Sequence, residues 1–287
     1  MAIKSILVPL EGGEAGYRTL ETALVVARRF DAHIATVHIS ESVMKSAAFN
    51  SLSNSLQQDV RSEEKQLQTR QAETIRKTVE DFSRKHGLAM NPEPASQDGV
   101  TISFEHEFGQ VNDLLVHHSR YHDTVAIARP EKAAGQLRMG GVETVVNTLL
   151  LYSGKPVVLV PSQWRPHRAR HAMIAWNDSL ESSRALSMTI PWLMQMDRVT
   201  VAVARSRLDG GERVRQQLAF HGIGAQLNTL DRGNQSVGRR LLAMADEIES
   251  DFLVMGGYSH SRIRHHMFGG VTDHVLAHSH IITVMVH

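Results

Sequence analysis

The sequence predicts an open α/β protein built twice, as two tandem five-stranded parallel sheets with helices on both faces. Three observations predict it. The chain opens as strand, Gly-containing turn, helix and strand. Four blocks of its first half return in order in its second half. Between the blocks, short apolar runs alternate with stretches of helical spacing, the pattern of βαβ units and a parallel sheet.

Residues 3–9 (IKSILVP) form an apolar run that stops at Pro9-Leu10-Glu11-Gly12-Gly13. Residues 14–30 then place Leu20, Ala23, Leu24, Ala27 and Phe30 on one helical face, and residues 34–39 are β-rich. Parallel strands joined by a helix imply a right-handed crossover. In the second copy the predicted strands are residues 172–176, 198–204, 225–230, 252–255 and 281–286.

The repeat is explicit. Val8-Pro9-Leu10-Glu11-Gly12-Gly13 aligns without a gap on Ile174-Ala175-Trp176-Asn177-Asp178-Ser179, anchored by Arg18-Thr19-Leu20 on Arg184-Ala185-Leu186. Residues 123–127 match 251–255, Met139-Gly140-Gly141-Val142 matches Phe268-Gly269-Gly270-Val271, and residues 156–160 match 281–285. The expected domains are 1–161 and 171–287, with a polar, Pro-containing linker at 162–170. The first copy carries an insertion at about 41–99. Its centre, Asn54–His86, puts Leu56, Val60, Leu67, Ile75, Val79 and Phe82 on a sparse helical stripe that covers a sheet edge or meets a protein partner.

Composition excludes several classes. With 42% hydrophobic and 21% charged residues the chain reads as a soluble globular protein. A formal net charge of +1 gives no electrostatic case for nucleic acid or an acidic membrane. The absence of cysteine removes disulfides, Cys–zinc sites and thiol chemistry. No apolar stretch reaches the roughly 20 residues of a membrane span, and the expected location is the cytoplasm.

The last stretch carries the functional signal. The apolar run Phe252-Leu253-Val254-Met255 stops at Gly256-Gly257, a basic loop follows (Tyr258, Ser259, His260, Arg262, Arg264), and Gly269-Gly270-Val271-Thr272 leads into a helical pattern. Backbone amides and the positive end of a helix dipole would both point at an anion held there. This segment resembles the C-terminal signature of the universal stress protein family, glycine, two residues, glycine, nine residues, glycine and then Ser or Thr. Gly256 and Gly269 fit at the right spacing, whereas Ser259 stands at the second glycine and Gly270 at the Ser or Thr position. The resemblance implies a Rossmann-like nucleotide-binding fold in which the first and fourth strands are neighbours.

It also implies site residues. In the family, an acidic residue after the first strand and a residue ending the second frame adenine and ribose, and the fourth-strand loop holds the phosphates. The first copy offers Pro9, Glu11 and Ile39, the second Ala175, Asn177 and Ala204. In the first copy the phosphate loop reads Ala128-Arg129-Pro130-Glu131-Lys132, without the matching glycine and with a proline that removes a backbone donor. The second copy keeps Gly256, Gly257, Gly269 and Gly270. The expected ATP site is therefore in the second half: Ala175, Asn177, Asp178, Ala204, Gly256, Gly257, Ser259, His260, Arg262, Gly269, Gly270, Val271 and Thr272, with Asp178 the nearest carboxylate for Mg²⁺.

No catalytic constellation stands out: G-x-S-x-G, the Walker lysine motif and G-x-G-x-x-G are all missing. The 17 histidines include His274 and His278 at helical spacing beside His280, His117-His118 with His122, and His265-His266, which read as surface histidines rather than metal ligands. The expected protein is a stress-response regulator that binds an adenine nucleotide and turns it over slowly or not at all. The alternatives are a scaffold acting through partners of the 41–99 insertion, and a slow ATPase or self-phosphorylating protein. One chain is expected to imitate a dimer, and a homodimer of such chains is a further possibility.

Overall fold

A computed structural model describes residues 3–41, 53–91, 99–129, 142–164, 169–231, 233–258 and 270–287, with backbone only for 142–144. The first half runs β1 (Ser5–Pro9), α1 (Gly13–Phe30), β2 (His33–Ser40), α2 (Asn54–His86), β3 (Ala89–Met90), β4 (Thr101–Phe108), α3 (Val111–Ser119), β5 (Thr124–Ala128), α4 (Val142–Tyr152) and β6 (Val157–Val160). The second runs β7 (His171–Trp176), α5 (Leu180–Leu193), β8 (Arg198–Ala204), a 3₁₀ turn at Arg205–Arg207, α6 (Leu208–Phe220), β9 (Ala225–Leu230), α7 (Val237–Glu247), β10 (Phe252–Gly256), α8 (Val271–His278) and β11 (Ile282–Val286).

The strands form one sheet in the order β3-β4-β2-β1-β5-β6-β11-β10-β7-β8-β9. Within each half every pairing is parallel. Each half has the same order, third, second, first, fourth and fifth strand, so first and fourth strands are neighbours in both. The sequence reading missed β3, a two-residue strand added to the outer edge of β4.

The halves meet edge to edge. β6 and β11 pair antiparallel, Val158 opposite Val284 and Leu159 opposite Thr283. With Pro156 aligned on Ile281, these two pairs are images of each other, the self-complementary register that a pseudo-two-fold axis requires. An apolar edge strand left open would invite other chains, and here each fifth strand closes the other. Contacts over the sheet reinforce the seam. The Tyr258 hydroxyl bonds to Asn147 Oδ1 on α4, and Arg129 Nη1 donates to the carbonyls of Leu276 (3.1 Å) and Ala277 (2.8 Å) at the end of α8.

Element ends follow local chemistry. Ser53 accepts the Leu56 amide at the start of α2, and Gly87 in the left-handed region (φ 66°) ends it. Its C-terminal half buries Ala72, Ile75, Val79 and Phe82, while Leu56, Val60 and Leu67 remain exposed. α5 opens on a reciprocal Ser179–Ser182 cap. Trp164 and Ala169, within the expected linker, are buried in the core.

A polar seam lies beside β4. His33 Nδ1 and Nε2 sit 2.8 and 2.9 Å from Thr101 Oγ1 and Ser103 Oγ. Burial first, then the neighbouring His33 and His118, push the His122 pKa down to about 4, against a smaller opposing pull from Asp123. Burial also lowers those of His33 and His171. The folded state thus keeps these rings neutral where the unfolded chain, at about 6.5, takes up protons. Stability from this source is complete above about pH 6.5 and falls as pH drops toward 4. The slope for one ring is at most about 1.4 kcal/mol per pH unit, and less here because His122 is partly solvated. Thermal unfolding should show a falling midpoint between pH 7 and 4.5. His122→Gln should flatten that profile, and an unchanged slope would exclude His122 as a contributor.

Candidate functional site

The carboxyl ends of β1, β2 and β5 enclose a cavity of about 160 Å³ at the point where strand order reverses. Its floor and walls are apolar: Leu10 after β1, Val37 and Ile39 on β2, Ile127 on β5, and Val111, Leu115 and Val145 from α3 and α4. Ala15, Gly16 and Thr19 present the small face of α1, and exposed Glu11 stands at the mouth. Gly12 turns the chain with φ 86°, a backbone that other residues adopt only under strain, and a Cβ there would touch Ile75 of α2 at 3.4 Å.

The loop is held from below. Leu10 N donates to the Val37 carbonyl (2.9 Å), and His38 Nδ1 donates to the Leu10 carbonyl (2.8 Å). That leaves His38 Nε2 as an acceptor toward Ser40 Oγ at 3.4 Å, which also lies 3.0 Å from His106 Nε2. The His106 pKa is lowered, first by burial, then by His38 and Arg76. Arg129, on the wall, is turned to the α8 carbonyls described above.

In the first half Pro9, Glu11 and Ile39, the residues the resemblance pointed to, share one cavity. The sequence reading missed the walls supplied by α1, α3 and α4. The adjacent small residues Ala15 and Gly16 in the first turn of α1 were the available signal.

The second-half crevice is arranged differently. Ala175 pairs with Met255 and Ala202, and Ala204 ends β8. Asn177 Oδ1 accepts the Ser179 amide (3.2 Å), and Arg207 donates to the Asn177 carbonyl. Asp178, with φ 59°, accepts from the Trp176 indole (2.8 Å) and pairs with Arg207 (3.4 Å). A Cβ on Gly256 would stand 2.7 Å from the Ser182 amide nitrogen, so this glycine lets α5 close on the end of β10. Gly257 N donates to the Val286 carbonyl (2.8 Å) and Tyr258 N to Thr272 Oγ1 (3.0 Å). Gly270, which has no side chain to cap with, is the N-cap of α8. Ser259, His260, Arg262 and Gly269 lie outside the described residues, as do Arg264, His265 and His266.

The model of the universal stress protein family matches residues 2–161 and 179–287. The chain belongs to that family. Both copies of the repeat are thus universal stress protein units, and the doubled parallel sheet is their fold. A universal stress protein from Archaeoglobus fulgidus DSM 4304 has a similar structure, with a TM-score of 0.70 at 13% identity over 98% of this chain and 97% of that one. A functionally unknown protein from Pseudomonas aeruginosa PAO1 is similar at TM-score 0.55 and 14% identity, over 99% and 92% of the two chains. At these identities the likeness is one of fold. None of the curated proteins matches.

Two further features of this universal stress protein bear on the sequence reading. Among the described residues no helix is long and apolar enough to cross a membrane. The His274 and His278 rings stack at 4.3 Å, with His278 Nδ1 2.9 Å from the His274 carbonyl, and His280 Nε2 lies 2.6 Å from Asp246.

Proposed function

We propose that this universal stress protein binds an adenine nucleotide, ATP with or without Mg²⁺, as a retained regulatory ligand. The observation that supports it is the first-half cavity, apolar inside and open at the switch in strand order. At about 160 Å³ it is smaller than the roughly 300–1,000 Å³ of sites that enclose a whole drug-sized ligand. It suits one ring system, with sugar and phosphates outside, where the Glu11 carboxylate can accept from ribose hydroxyls.

A second reading puts the nucleotide in the second half, as the retained glycines suggest. The observation in its favour is α8, whose N-cap Gly270 has no side chain to occupy its first-turn amides. A dipole-assisted anion contact there contributes about 0.3–2 kcal/mol. Gly256, Gly257, Ser259, His260, Arg262, Gly269 and Gly270 would then surround the phosphates, and Asp178 would have to leave Trp176 and Arg207 to reach Mg²⁺.

Calorimetry and thermal unfolding of the full chain with ATP and with adenosine test the proposal. ATP at 100 times its dissociation constant should stabilise the fold by about 2.7 kcal/mol. Ala15→Leu fills the first cavity with a good helix former and should abolish the response to both ligands. If Gly269→Asp abolishes it instead, the second reading holds. A chain that responds to neither ligand at millimolar concentration would end the proposal. Turnover should stay below about 1 s⁻¹, the lower end of common enzyme rates, because ground-state binding alone does not accelerate hydrolysis.

A further inference from the structure

On the α3 side of β4, away from the nucleotide cavity, Glu105, Glu107 and His118 bring one ligand atom each to within 4.8 Å of one another. The two carboxylates alternate along the strand, so the pleat aims both at the same face. His118, near the end of α3, lies between them. Its Nε2 is 2.9 Å from Glu107 Oε1 and its Nδ1 is 4.0 Å from Glu105 Oε2.

Two features separate this group from an ordinary surface acid pair. Among the described residues neither carboxylate has a lysine or arginine partner, and the only group between them is the imidazole. The imidazole is within hydrogen-bond distance of Glu107 alone, and Glu105 stands at 4.0 Å, too far to bond the ring directly. The ring is mostly buried, with its side chain 15% exposed, so α3 holds it in place. One turn further on, His122 Nδ1 is buried with no hydrogen-bond partner among the described residues.

We propose that Glu105, Glu107 and His118 form a binding site for a divalent cation of the zinc class. Two carboxylates and one imidazole are a mixed O/N set, which suits Zn²⁺, Co²⁺ or Mn²⁺ better than the all-oxygen shells of Mg²⁺ and Ca²⁺. Three protein ligands leave coordination positions for water, as in open zinc sites. The cation gives Glu105, which has no hydrogen bond to the ring, a metal–ligand bond and offsets the charge of the acid pair. It also ties α3 to β4. Since α3 carries Val111 and Leu115 on the cavity wall, occupancy of the site stiffens that wall.

The test is Co²⁺ titration of the full chain, read from its visible absorption, followed by displacement with Zn²⁺. Wild-type protein should take up one Co²⁺ per chain at this site, and Zn²⁺ should bleach the band. Glu107→Gln and His118→Gln should each weaken uptake by at least about 100-fold, above the roughly 10–100-fold cost of losing an outer-shell partner. Glu105→Gln, at an exposed position, should weaken uptake without disturbing the fold. It keeps the test decisive if His118→Gln fails to fold. His278→Gln, on the stacked surface pair of α8, should leave the band unchanged. Absence of saturable uptake by wild type at millimolar Co²⁺ would overturn the proposal. So would uptake that survives both Glu105→Gln and Glu107→Gln, or uptake that disappears with His278→Gln.

Discussion

Val284→Asp is expected to destabilise the protein by about 3–5 kcal/mol, the scale for an uncompensated charge left in a protein interior. Val284 is fully buried at the centre of the seam, opposite Val158, with Met285 and Leu159 beside it. The residues paired with Val284, Val158 on β6 and Val254 on β10, are apolar and offer no cation, and the one polar side chain of β11, Thr283, is bonded to Ser279 and Ile281. Because the seam joins the two halves into one sheet, the variant should also lose the coincidence of their unfolding. Urea unfolding followed by far-UV circular dichroism and by tryptophan fluorescence should give two separated transitions. Trp164, Trp176 and Trp192 report mainly on the second half and the seam. A single transition at the wild-type midpoint would show that the halves do not depend on β6–β11 pairing.

Phe82→Ala is expected to cost about 3–5 kcal/mol, as large-to-small substitutions of buried aromatics do. Phe82 is 1% exposed on α2 and meets Tyr17 of α1 edge-on at 5.6 Å, with the His86 ring at 4.5 Å. Ile75 and Val79, on the same stripe, are also buried, and these β-branched side chains are too stiff to refill the cavity that loss of Phe82 leaves. Leu67, on the exposed half of α2, provides the contrast: Leu67→Ala should change stability by no more than about 0.5 kcal/mol. Equal shifts in urea midpoint for the two variants would contradict the packing of α2 described above.

These two expectations show where sequence and structure part. The helix Asn54–His86 was read to the residue, because its ends carry their own signals, Ser53 as cap and Gly87 as a left-handed stop. The strands Arg198–Ala204 and Ala225–Leu230 were read equally well from β-rich runs bounded by polar turns. β3 was missed because Ala89–Met90 has no strand pattern of its own, and pairs only because β4 passes beside it.

The same division runs through the sites. Pro9, Glu11 and Ile39 were legible from resemblance, while Val111, Leu115 and Val145 reach the cavity from helices far along the chain. Glu105 and Glu107 share a strand face by simple alternation, yet nothing local announces that His118 meets them. At Gly256 the glycine was legible and its reason was not. A turn for an anion and a close approach by α5 leave the same letter in the sequence, and the clash at 2.7 Å that a Cβ here would make with the Ser182 nitrogen belongs to packing.

Duplication, element order and the helical insertion were thus contained in local pattern, since periodicity, caps and turn residues act over a few positions. The joining of two sheets through Val158 and Val284, and the meeting of α3 with β4, depend on residues roughly ten to more than a hundred positions apart. Such contacts form only when apolar surface is buried between elements already made, and no short-range pattern records which surfaces will face each other.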